Sequence, residues 1–191
     1  TFDWPDEGAN GMKLSDLSRM IRSETVFPNL KHLRFRLRGP KAHNCCVLTA
    51  EGEDEYEANG TMGALLRQMP ALEALTIPSA PDWSFFEGES HPLRRLTLQS
   101  GLDHGDFIRN LATCDRFPEL EQLDFTDLLH GTREAADRES VAFETFRMLV
   151  EAAPRRLPAL RYIILRQTTL AESEREVLRR LNPEVQVRFE E

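Results

Sequence analysis

Three short stretches bring together residue types from which a reactive or metal-binding site can be built. His43-Asn44-Cys45-Cys46 places an imidazole beside two thiols, the donor set that zinc prefers. Adjacent cysteines chelate poorly, and no nearby C-x-x-C or H-x-x-x-H supplies the remaining ligands of a tetrahedral site. Cys46 is therefore expected in the core and Cys45 partly exposed, because small thiols commonly pack as hydrophobes. His104-Gly105-Asp106 offers an acid and a base side by side. It precedes an apolar helical segment, however, where Asp106 reads as a side-chain N-cap. The acidic run Glu51-Gly52-Glu53-Asp54-Glu55-Tyr56-Glu57 lacks the alternating ligands and glycine of a calcium loop and reads as solvated. No G-x-S-x-G, Walker loop, G-x-G-x-x-G or H-E-x-x-H occurs. The residues thus predict no catalytic group, metal or cofactor, and a chain that is not an enzyme.

The remaining chemistry is that of recognition. Asp82-Trp83-Ser84-Phe85-Phe86 could form an exposed aromatic anchor, but with Pro78 and Pro81 fixing its connection it is expected to pack inward. The chain has 191 residues, 40% apolar and 29% charged, with a net charge of -8. That composition predicts one folded domain that needs no disulfide. The negative balance argues against indiscriminate attraction to nucleic acid or an anionic membrane. The opening Thr1-Phe2-Asp3-Trp4-Pro5-Asp6 lacks the basic start and apolar run of a signal peptide. Three cysteines in no framework spacing favour reduced thiols and a cytoplasmic setting. A start without Met is expected of a trimmed or partial chain. The sequon Asn59-Gly60-Thr61 reads as a turn before a helix.

The elements that position these residues follow from a recurring phrase. It appears as Pro28-Asn29-Leu30-Lys31-His32-Leu33-Arg34-Phe35, Pro70-Ala71-Leu72-Glu73-Ala74-Leu75-Thr76-Ile77 and, shortened, Pro92-Leu93-Arg94-Arg95-Leu96-Thr97-Leu98. It returns as Pro118-Glu119-Leu120-Glu121-Gln122-Leu123-Asp124-Phe125, then Pro158-Ala159-Leu160-Arg161-Tyr162-Ile163-Ile164-Leu165, and in degenerate form as Pro183-Glu184-Val185-Gln186-Val187-Arg188-Phe189. Each copy ends in apolar-polar alternation, the mark of a short strand with one buried face. The proline precedes the strand, where its missing N–H costs no ladder bond. Leu33, Leu75, Leu96, Leu123, Ile163 and Val187 take equivalent inward positions, spaced by 42, 21, 27, 40 and 24 residues.

Amphipathic segments between the strands predict helices over Lys13 to Arg22, Thr61 to Gln68, Asp106 to Cys114, Ser140 to Ala152 and Ala171 to Leu181. Ser79 to Ser90 lacks a helical pattern and reads as an irregular turn. Within the 42-residue interval, Cys45-Cys46-Val47-Leu48-Thr49 is expected to pair antiparallel with Phe35 to Leu37 as a hairpin cap. The 40-residue interval is expected to hold an extended loop from His130 to Glu139.

This pattern resembles the leucine-rich-repeat family, whose signature is L-x-x-L-x-L-x-x-N or C-x-L, and within it the helical ribonuclease-inhibitor-like branch. The likeness runs from about Leu14 to Phe189. The signature's Asn or Cys is replaced by Arg38, Ala80, Gly101, Leu128 or Thr168, so irregular curvature is implied. The resemblance implies an α/β fold: a right-handed solenoid with a mainly parallel sheet of about six strands and helices on the convex side. One domain is expected over residues 1–191, with a capping helix region at 1–26 and repeats at 27–191.

Such a stack leaves one face of its sheet open, and repeat proteins bind there. Three outward positions per strand run from His32, Arg34 and Arg36 on the first strand to Gln186, Arg188 and Glu190 on the last. The set contains five arginines (Arg34, Arg36, Arg95, Arg166 and Arg188) against two acids (Asp124 and Glu190). The open face is therefore relatively basic in an acidic protein. The expected function is noncatalytic binding of an acidic or mixed-charge partner protein, as in an adaptor or a toxin-neutralising protein. The expected contacts are His32, Arg34, Arg36, Arg95, Tyr162, Arg166 and Arg188. Nucleic-acid binding through the same face is the alternative, though Tyr162 is the only aromatic available there for base stacking. An uncharacterised enzyme comes third. Neither a membrane nor a small-molecule substrate is indicated.

Overall fold

Alternation along the recurring phrases becomes strands in the computed structural model, which describes residues 11–39, 44–49, 60–100, 106–127 and 140–190. The chain runs β1 (Gly11–Asp16), α1 (Ser18–Arg22), β2 (His32–Arg34), β3 (Asn44–Thr49), α2 (Thr61–Gln68) and β4 (Ala74–Ile77). A 3-10 turn (Trp83–Phe86), β5 (Arg95–Gln99), α3 (Phe107–Thr113) and β6 (Gln122–Thr126) follow. Then come α4 (Phe143–Arg156), β7 (Tyr162–Arg166), α5 (Glu172–Leu181) and β8 (Gln186–Glu190). The main sheet has six strands in the order β2-β4-β5-β6-β7-β8, every pair parallel. Each strand lies beside its predecessor in that sheet. Parallel neighbours cannot be joined by a tight hairpin, and the helices supply most of the crossings.

The six inward positions align in one register row, Leu33–Leu75–Leu96–Leu123–Ile163–Val187. All six are buried, and they join Leu65, Leu66, Phe107, Leu111, Phe146, Leu149 and Leu178 from the helices in one apolar core. Five of the six prolines share a geometric role. Pro28, Pro70, Pro118, Pro158 and Pro183 each take the second position of a turn closed by a backbone hydrogen bond. The bonds run from Leu30, Leu72, Leu120, Leu160 and Val185 N–H to Phe27, Met69, Phe117, Leu157 and Asn182 C=O. Proline's fixed φ suits that position, and its missing N–H is not needed there. Each turn thus ends a crossing and launches a strand.

Several expectations are corrected. Lys13 to Arg22 is not one helix: Gly11–Asp16 is a strand, paired in parallel with Asn44–Thr49. Asp16 ends it by accepting the Ser18 N–H at 2.8 Å, which starts α1. The same pairing replaces the hairpin cap expected between Cys45–Thr49 and Phe35–Leu37. Asp106 precedes α3, but its backbone is left-handed (φ 52) and its side chain caps no N–H. N-cap side chains reach back from an extended backbone; this carboxylate lies 3.9 Å from Arg109 Nε instead. The aromatic stretch divides: Phe85 is buried against Phe107 and Phe117, whereas Trp83 is 63% exposed. Asp82 accepts the Ser84 N–H and tightens the turn that separates them. Finally, α4 runs on to Arg156 through Pro154. Pro154 cannot donate to the Val150 carbonyl one turn back, and the buried Asn182 amide approaches that oxygen at 3.5 Å. His43, His104, residues 51–57 and residues 130–139 lie outside the described residues.

Burial of His91 predicts a pH-dependent stability. The ring is buried, its Nε2 lies 3.1 Å from the Met69 carbonyl oxygen, and its Nδ1 has no hydrogen-bond partner among the described residues. Burial holds the imidazole below its ordinary value of 6.5, only partly opposed by the bond to Met69. Below that value the unfolded chain takes up a proton that the folded chain resists. The contribution to stability is therefore full above 6.5 and declines as pH falls from there toward the folded value. Urea midpoints should drop between about pH 7.5 and about pH 5.5, and less steeply in His91→Gln, which loses the titrating group. Parallel slopes in the two proteins would exclude His91 as the source.

Candidate functional site

The open face of the six-stranded sheet is built by the residues that alternate with the core row. His32, Ala74, Arg95, Gln122, Tyr162 and Gln186 share one register row, and Arg34, Thr76, Thr97, Asp124, Ile164 and Arg188 the next. The first row is the more open: His32, Arg95, Tyr162 and Gln186 are exposed. The third row is closed at its centre, where Pro78, Gln99 and Thr126 are buried. The Gln99 side chain causes part of this closure. Its amide donates to the Arg38 carbonyl at 2.7 Å and accepts the Arg38 N–H at 2.9 Å. This two-bond clamp draws the chain beyond β2 toward β5, so the face does not stay open along its whole length.

The seven residues expected to contact a partner fall into two groups. At the β6–β8 end, Arg166 donates from Nε and Nη2 to the two oxygens of Asp124, at 2.7 and 3.0 Å, and also pairs with Glu190. Asp124 is buried beneath it. The hydrogen bond donated to Asp124 raises the Arg166 guanidinium above its ordinary value, with burial opposing. Arg188 lies over the Tyr162 ring at 5.9 Å and donates to Gln186 at 2.9 Å. Tyr162 keeps 44% of its surface exposed. Arg166 is therefore taken up by a forked arginine–carboxylate pair, geometrically matched and strong, whereas Arg188 meets the neutral Tyr162 ring and Gln186 amide.

At the β2–β5 end the arrangement differs. Arg34 and Arg95 are exposed, and neither forms an ion pair among the described residues. Between them lie only Ala74 and Thr76 on β4. The two arginines flank this low strip from β2 and β5, about 10 Å apart across the strands and offset by about 7 Å along them. His32 sits beside Ala74, and Arg36 is exposed just past the end of β2.

A further charged row lies just before the strands. Lys31, Glu73, Arg94, Glu121 and Arg161 are successive along the sheet edge, each accepting backbone N–H groups from the next repeat. Their signs alternate. Lys31 and Glu73 meet at 2.6 Å, and Arg94 and Glu121 at 3.1 Å. The hydrogen bond from Lys31 holds the Glu73 carboxyl below its usual range. Exposed pairs of this kind are screened by solvent and add little to stability, so their main effect is to neutralise this edge. The signal was present in the sequence, at the position two before each inward residue, and appears once the copies are aligned.

Cys46 is buried in the core, as the plain reading of the paired thiols expected. No cluster of three potential metal ligands forms among the described residues, and none of their helices is long and apolar enough to cross a membrane. The fold defines an α/β protein with an open, all-parallel six-stranded sheet. No protein-family model matches the chain, and no curated protein matches it.

Proposed function

We propose that the chain is a leucine-rich-repeat solenoid that binds an acidic or mixed-charge partner protein, without catalysis, through the β2–β5 part of its open face. Strand order, common register and the repeated proline turn support the solenoid; a right-handed sense follows from the general preference of parallel crossings. One observation carries the binding role: Arg34 and Arg95 stand without ion pairs among the described residues, on either side of a strip of small residues. A carboxylate-bearing surface can approach that strip closely, and each guanidinium offers a planar fork to an acid. The β6–β8 end adds Tyr162 as a rigid, half-open aromatic contact.

Arg34→Glu combined with Arg95→Glu should leave the melting temperature within a few degrees of the parent, since both side chains are exposed. It should weaken partner association at least about tenfold, mostly through a slower on-rate at low salt. Native-lysate capture with quantitative mass spectrometry, repeated after nuclease treatment, identifies the retained partner; titration of the purified pair checks the affinity. A partner retained by both proteins with equal affinity and salt dependence would reject the assignment. Loss of the complex on nuclease treatment would transfer it to nucleic-acid binding.

A further inference from the structure

Away from the open face, a cavity of about 500 Å³ lies between the end of α2 and the segment after the 3-10 turn. Its volume is in the range of small-molecule sites, roughly 300–1,000 Å³. Leu66 and Pro70 give it an apolar wall, while Arg67, His91 and Arg116 supply polar groups. Arg116 is the unusual member, a guanidinium in a residue only 5% exposed. Its Nη1 donates to the Phe85 carbonyl at 2.7 Å, and its Nε has no hydrogen-bond partner among the described residues. No carboxylate among the described residues pairs with it. The Nη2 end faces Gly88, where a β-carbon would stand 3.7 Å away; Gly88 itself lines the cavity in a left-handed conformation (φ +100). A side chain there would be strained by the left-handed backbone.

Arg67 stands exposed on the rim, also without an ion pair among the described residues. Burial lowers the Arg116 guanidinium below its ordinary value, and the neighbouring Arg67 charge lowers it further. Glu87 and Glu89 line the rim too, but neither pairs with either arginine. Arg116 also lies 5.8 Å over the Phe117 ring, but neither that ring nor the carbonyl oxygens carries a full negative charge, and an anion would supply the matched acceptor that a buried guanidinium favours. A capping role on the 3-10 turn accounts for Nη1 alone. It leaves Nε, Nη2 and the nearby second guanidinium unexplained.

We propose that this cavity binds a small organic oxyanion, its carboxylate or phosphate group held between Arg116 and Arg67 and its apolar body packed on Leu66 and Pro70. The site does not rest on the reading of the sheet face. Forked arginine recognition suits either oxyanion, so benzoate and phenyl phosphate serve as matched probes, with benzyl alcohol as the uncharged control. Titration of the full chain, followed by the Arg116 Nε–Hε resonance and by calorimetry, should show saturable binding of at least one anion in the millimolar range or tighter, and none of the alcohol. The preferred anion distinguishes a carboxylate ligand from a phosphate one. Arg67→Ala, an exposed change that should not disturb folding, should weaken binding about tenfold. Glu87→Gln should tighten it a few-fold by removing an opposing charge. Arg116→Lys keeps the charge but loses the fork and should abolish measurable binding; if that variant does not fold, the wild-type Arg116 resonance and the two rim variants decide. No saturable binding of either anion would overturn the proposal, as would affinities unmoved by both Arg67→Ala and Glu87→Gln.

Discussion

Leu123→Ala should lower the stability of the protein by about 2–5 kcal/mol, the range for truncating a fully buried leucine. Leu123 has no exposed surface and sits in register between Leu96 on β5 and Ile163 on β7. The lost methyl groups leave a void that two neighbouring strands would have to move to fill, and their own ladders resist that movement. The void also lies midway along the core row. In a stack held by contacts between neighbours, weakening the middle reduces the cooperativity between its ends. Urea unfolding followed at Trp83, before β5, and at Tyr162, in β7, should therefore show a lower midpoint and, at the larger losses, transitions that no longer coincide. An unchanged midpoint would place Leu123 outside the core.

Gly63→Ala should also destabilise, against the direction that helix propensity alone gives. Alanine is favoured over glycine within a helix by about 1 kcal/mol. At this position, however, an added β-carbon would lie 2.7 Å from the Ser84 carbonyl oxygen and 2.9 Å from its carbon. Those atoms belong to the backbone of the 3-10 turn. The turn is held from below by buried Phe85 and at its start by the Asp82–Ser84 hydrogen bond. It cannot yield as a flexible side chain would, so α2 must shift from its own buried contacts through Met62, Leu65 and Leu66. Overpacking of this kind costs about 1–3 kcal/mol, which exceeds the gain in propensity. Thermal unfolding checks the sign: a higher melting temperature for Gly63→Ala would show that α2 and the turn are not in the close contact described.

Much of the scaffold was legible because its code is local. Alternation over three to five residues sets which strand side chains face inward, and the row from Leu33 to Val187 follows from it without knowledge of any neighbour. The helical period located α2, α3, α4 and α5 to within a few residues. It misread the stretch from Lys13 because Leu14, Leu17 and Ile21 fit a helical face while Gly11–Asp16 pairs with a strand that begins at Asn44. A partner so distant leaves no mark on local spacing. Trp83 and Phe85 differ for a related reason: the tight turn separates neighbours that composition groups together.

By itself, then, the sequence determined the repeat, the inward row and the list of outward side chains, because each depends on backbone geometry within a single segment. Tertiary structure alone decided which of those outward side chains remain available. Arg166 meets Asp124 across a separation of 42 residues, and Gln99 clamps the backbone of Arg38 across 61. These pairings take up the middle and one end of the face and leave Arg34 and Arg95 beside Ala74 and Thr76. The Arg116 cavity also arises only on folding, where α2, the segment after the 3-10 turn and the chain beyond α3 converge. Charge counts establish how many arginines a face can have; which of them keep free donors depends on contacts between residues far apart in the chain.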